Sequence, residues 1–69
     1  MERVRLNSSA IEAVTYDENR RTLIVEYKGG DRYQYFNVEE TVYHELLKAE
    51  SADAFWNRGK DNYTYLKLD

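Results

Sequence analysis

The sequence has no cysteine, a single histidine and only three glycines. Without cysteine there is neither a disulfide framework nor a thiolate metal site, and that usage suits a reducing, cytoplasmic setting. With one histidine, a transition-metal centre would need an improbable set of carboxylates, so no metal or cofactor is expected. Apolar runs never exceed three residues, as at Leu23 to Val25, which leaves no stretch for a transmembrane span or the apolar core of a signal peptide. A basic excess is missing too: ten Lys and Arg face 13 Asp and Glu, for a net charge of −3. That balance argues against broad, charge-driven nucleic-acid binding. The first 37 residues are neutral and the remainder is acidic.

What the chain does have is aromatic mass, with seven Tyr, two Phe and one Trp in 69 residues. A single domain spanning residues 1–69 buries only roughly 60% of its unfolded surface, and dense aromatic packing is one way to stabilise so small a core.

The central stretch is Leu23 to Tyr35, two alternating runs hinged on Gly29-Gly30. Ile11 to Asp17 reads as a first strand, with Ile11 out of phase and a bulge expected near Glu12-Ala13. Leu23, Val25 and Tyr27 mark one face of a second strand. A two-residue loop at the glycines would put Tyr33 and Tyr35 on the opposite face from these three side chains. A three-residue loop, Gly29 to Asp31, pairs Tyr27 with Tyr33 and Val25 with Tyr35 and gathers all five on one face, which is the preferred register. Residues 1–9 read as an ordered lead-in without a period.

Asn37 is a candidate N-cap with Glu40 three residues on. Val42, Leu46 and Ala49, flanked by Tyr43 and Leu47, give the apolar stripe of a helix near residues 38–50. Ser51 caps a second helix over residues 52–58, and Gly59 is its stop. Tyr63 to Leu68 alternates again as a short strand or extended tail. The expected fold is therefore α+β: a three-stranded antiparallel meander covered on one face by two helices, with a possible short C-terminal strand.

Several features then stand together in order: Ser8-Ser9 before Ile11, Tyr16-Asp17, Leu23-Val25-Tyr27, Gly30, Tyr33-Gln34-Tyr35, Val38, Val42-Tyr43, Leu46, Ala49, Ser51, Phe55 to Asn57 and Tyr63. In this spacing the chain resembles the KTSC domain family, named for the C-terminal domain of some lysyl-tRNA synthetases and also found as stand-alone small bacterial proteins. The resemblance spans residues 4–66. It implies a small α+β domain, carries over no catalytic residue, and raises RNA, tRNA in particular, as a partner. The chain departs from the family pattern at Glu39, where proline is common, at Ala52, and at Lys60-Asp61, where the family often has Ile-Arg.

An enzyme would need a nucleophile with a base, paired carboxylates in a cleft or a metal cluster. His44 reads as a surface residue, Ser8-Ser9 as turn or capping residues, and Gly29-Gly30 lacks the lysine-serine pair and following helix of a phosphate loop. The expectation is a non-enzymatic domain. If RNA binds, Arg20, Arg21, Lys28, Arg32 and Gln34 on the helix-free face are the expected contacts, with weak and salt-sensitive affinity, while Tyr33 and Tyr35 belong to the core. The competing reading is a protein-interaction or homodimerisation module, in which the sheet leaves edge strands and one wet face, and Ile24, Phe36 and Trp56 add exposed apolar area. Neither reading involves a membrane.

Overall fold

The computed structural model describes residues 2–68; Met1, counted in the lead-in, and Asp69 lie outside them. Five strands form one antiparallel sheet in sequence order: β1 (Arg3–Arg5), β2 (Ile11–Asp17), β3 (Thr22–Tyr27), β4 (Arg32–Tyr35) and β5 (Tyr65–Leu68). Helices α1 (Glu40–Lys48) and α2 (Ala52–Gly59) and a 3₁₀ turn (Lys60–Asn62) lie between β4 and β5. The α+β class and the two helices match expectation, whereas the sheet has five strands and not three. The short C-terminal strand allowed for in the sequence is β5 and the unexpected one is β1, and the two flank the meander. Val4 sits opposite Val14 and Arg3 opposite Thr15, so the lead-in is a strand too short to display a period of its own.

In β2 the bulge falls between Ile11 and Ala13, as the phase break implies. It lets Ile11 and Val14 share the core with Tyr16, Leu23 and Val25. Across the β3–β4 hairpin the expected face is correct and the register is not: Val25 faces Tyr33 and Leu23 faces Tyr35, two residues displaced from the expected pairing. The loop holds Lys28, Gly29 and Gly30, closed by Gly30 N–H donating to the Tyr27 carbonyl at 2.9 Å and Tyr27 N–H to the Asp31 carbonyl at 2.8 Å. Gly30 takes φ 103°, the left-handed position that completes a three-residue hairpin loop and that a side chain would strain. Burial selects only the parity of the register; the turn selects which even shift is used.

Asn37 is not the helix cap. It adopts φ 59°, a left-handed conformation that asparagine tolerates and an N-cap does not use. Glu39 occupies the cap position in extended conformation, its carbonyl accepting from the amides of Val42 and Tyr43. The turn at Asn37 delivers Val38 into the core, where its amide donates to the Arg21 carbonyl and its carbonyl accepts from the Tyr16 hydroxyl at 2.6 Å. At the second helix Ser51 does cap as expected, its hydroxyl accepting from Ala54 N–H at 3.2 Å. Gly59 ends α2 without a left-handed turn.

The core lies between the sheet and the helices and centres on Trp56, Leu46, Val14, Leu23, Val25 and Val38, all below 2% exposure. Trp56 is therefore core and not exposed apolar area, which corrects one sequence expectation; Ile24 and Phe36 are half-buried. No helix among the described residues is long and apolar enough to cross a membrane.

Candidate functional site

The five residues expected to meet RNA are distributed over three places. Arg20 and Arg21 lie in the β2–β3 turn, where the Arg20 amide donates to the Asp17 carboxylate and Arg21 sits at φ 56°. Lys28 is exposed in the β3–β4 turn, its amide anchored on the Ala10 carbonyl. The six residues of β3 separate these turns by about 20 Å. Only Arg32 and Gln34 share the helix-free face, Gln34 beside Ile24 and Leu66, and Arg32 beside Glu26 and Leu68.

That face carries a cation missed in the sequence. Arg3 on β1 grips Glu26 through two hydrogen bonds, Nε at 2.9 Å and Nη2 at 3.1 Å. Hydrogen bonding from Arg3 holds the Glu26 carboxyl below the usual range, and Arg32 adds to the effect. Arg5 pairs with Glu12 through a single hydrogen bond from Nη2 at 2.8 Å. The arginines of β1 are thus already engaged by carboxylates. The only sequence trace of this arrangement is the Arg-Val-Arg alternation, three residues long.

On the other face Tyr27, Tyr33, Tyr35, Trp56, Tyr63 and Tyr65 form one connected group of rings. Tyr35 is buried and meets Trp56 edge-on at 4.9 Å, while Trp56 stacks on Tyr63 at 5.7 Å. Tyr33 contacts Tyr27 at 5.7 Å and Tyr65 at 5.5 Å. Because β5 extends the sheet beyond the cover of the helices, Tyr65 is 58% exposed, and a cleft of about 330 Å³ opens beside it. Tyr27, Tyr33, Tyr35 and Tyr65 line this cleft, with Asp31, Lys60 and Asp61 also lining it. The Tyr27 and Tyr35 hydroxyls stand 3.3 Å apart. Burial, then the Tyr35 hydroxyl, push the Tyr27 phenol far above its ordinary value; the Trp56 indole opposes the shift. The indole N–H stays outside hydrogen-bond geometry and is the one buried side-chain polar atom among the described residues with no partner.

At another corner Tyr16 stacks on Tyr43, with centroids 4.8 Å apart. Around them a second cleft of about 360 Å³ is lined by Glu2, Asp17, Glu18, Glu40 and His44, with no lysine or arginine. Burial raises both phenols, and nearby carboxylates add to it. Ionisation of Tyr16, Tyr27 and Tyr43 is therefore disfavoured in the folded state. Their contribution to stability is full below the ordinary phenol value of about 10 and is lost as pH rises through the higher folded values. Circular dichroism followed against phenolate absorbance should show alkaline unfolding that coincides with tyrosine ionisation. A fold that persists after all seven tyrosines have ionised would contradict this.

His44 is exposed and pairs with Glu40 one turn earlier at 3.2 Å, in agreement with its surface assignment. Ser8 and Ser9 serve as anchors. Both hydroxyls donate to the Asp53 carboxylate on α2, which also accepts from Ala10 N–H at 3.0 Å, while Ser8 Oγ accepts from Ile11 N–H at 3.1 Å. No three His, Asp or Glu side chains converge as metal ligands among the described residues.

A single antiparallel meander with two helices on one face and a tyrosine-lined cleft at its β5 edge defines a small two-layer α+β domain. The chain belongs to the KTSC domain family, whose model matches residues 7–65. It is similar to a KTSC domain protein of Yersinia pestis of known crystal structure, with a TM-score of 0.91 and 27% identity over 99% of this chain and 97% of the other. A protein of Stutzerimonas stutzeri described as uncharacterised is 34% identical over the full length of both chains. One from Tsukamurella paurometabola is 42% identical over 52 residues, which is 75% of this chain and 78% of the relative.

Proposed function

We propose that the domain is a non-enzymatic binding module that takes an extended protein segment along the outer edge of β5. The observation that carries this reading is the character of that strand. Among the described residues Tyr65 and Leu66, 58% and 55% exposed, are the large exposed apolar side chains, and they stand on opposite faces of the same edge strand. Folded proteins usually blunt such an edge, whereas strand-adding domains use one, with main-chain bonds for affinity and alternate side chains for selection.

RNA association, the alternative that the family resemblance raises, finds less support in the charge arrangement. Arg32 and Gln34 share a face, but Arg20, Arg21 and Lys28 stand apart from it, Arg3 and Arg5 are paired with glutamates, and the Tyr16–Tyr43 cleft is ringed by carboxylates. The test is NMR chemical-shift mapping with two ligands. An alternating valine–threonine peptide should shift residues 64–68 and the facing Tyr33 and Gln34. Labelled tRNA should produce only shifts that a non-nucleic polyanion of matched charge reproduces. Shifts on Arg32 and Gln34 with tRNA alone, and none on β5 with the peptide, would reverse the assignment.

A further inference from the structure

We infer that the segment received by β5 is the β5 strand of a second copy of this chain, paired antiparallel about Leu66, so that Lys67 of each copy enters the tyrosine cleft of the other. The inference rests on the edge-strand reading above and adds the partner and the register.

The strand is self-complementary in one register. Tyr65 and Lys67 point to the helix side, as their partners Tyr35 and Tyr33 do, and Leu66 and Leu68 point to the other. If the helices of both copies lie on the same side, Tyr65 must face an odd-numbered residue of its neighbour. A two-fold axis at Lys67 would oppose two ammonium groups. An axis at Tyr65 would set each Leu66 against a threonine and leave the lysines outside. An axis at Leu66 sets leucine against leucine on the helix-free face and Tyr65 against Lys67 on the cleft face, an isologous contact in which each interaction occurs twice.

The cleft suits that lysine. Its walls are tyrosine rings, whose faces attract cations, and Asp31 and Asp61 at its rim outnumber Lys60. Within one copy Lys67 already reaches Asp31 at 3.7 Å, with both side chains more than half exposed, so this loose pair can be exchanged for one across the axis. Four-residue edges bury little area, and a weak, concentration-dependent dimer is the expected product.

Sedimentation equilibrium over a wide concentration range, read together with amide shifts, tests it. The wild-type chain should dimerise with shifts at residues 64–68 and at Tyr33. Lys67→Glu should raise the dissociation constant by about tenfold, as expected for losing a close charged contact, and Lys67→Arg should leave it nearly unchanged. Leu66→Lys, which places two ammonium groups at the axis, should leave only monomer. Both positions are exposed, so circular dichroism should show the variants folded. A monomer at millimolar concentration that still binds the valine–threonine peptide on β5 would overturn the second copy while sparing the edge-strand reading. A monomer whose β5 ignores that peptide would overturn both. A dimer indifferent to Lys67→Glu and Leu66→Lys would overturn the register and the cleft.

Discussion

Replacing Tyr35 by alanine should destabilise the domain by about 3 to 5 kcal/mol, the cost of removing a large aromatic side chain from a packed core. The ring is 4% exposed and sits where the sheet and α2 meet, edge-on to Trp56 and in contact with Tyr33 and Tyr65. At 0.05 to 0.15 kcal/mol per residue, a chain of this size has a total stability of roughly 3 to 10 kcal/mol. The variant should therefore be largely unfolded at room temperature or melt far below the wild type. Tyr35→Phe separates packing from polarity, because it loses only the contact with the Tyr27 hydroxyl and should cost about 1 kcal/mol. Urea titrations of both variants decide the matter. A Tyr35→Ala protein as stable as the wild type would mean that the ring is not core.

The second large effect is expected at Asp53, a residue with no obvious role in the sequence. Its carboxylate accepts from the Ser8 and Ser9 hydroxyls and the Ala10 amide, tying the β1–β2 loop to the first turn of α2. An acceptor that carries charge and serves several donors contributes more than a neutral one, and Asp53→Ala should cost about 2 to 3 kcal/mol. Hydrogen exchange gives a local readout: the Ala10 amide should lose protection before β3 does. Equal protection in variant and wild type would show that the loop holds without the clamp.

The parts of the fold legible in the sequence are those where a period runs long enough. The strands at Ile11 to Asp17 and Leu23 to Tyr27, the bulge, the shared face of Leu23, Val25, Tyr27, Tyr33 and Tyr35, and the Ser51 cap all follow from alternation, phase and capping chemistry. What escaped is set by tertiary context. Arg3 to Arg5 becomes a strand only because Val14 and its neighbours offer an edge, and Asn37 turns left-handed because Val38 must enter the core. The hairpin register missed by two residues since burial distinguishes odd from even shifts and nothing finer. Of the five residues expected to meet RNA on the helix-free face, only Arg32 and Gln34 lie on strand positions there, because Arg20-Arg21 and Lys28 fall in the turns at opposite ends of β3. The alternation of Tyr63 to Leu68 does announce a C-terminal strand, but its place is set by tertiary pairing: only the ladder that sets Tyr65 against Tyr35 makes it the exposed outer edge of the sheet.

The strand order has a kinetic meaning as well. Three of the four ladders join neighbours through short turns, and nucleation there closes small loops. The β4–β5 ladder joins Tyr35 to Tyr65 across both helices, so its loop-closure entropy is the largest of the four. Local ladders form early and this one waits for the helices. The last strand to arrive should be the first to leave, and β5 should exchange its amides through a local opening well below the energy of global unfolding.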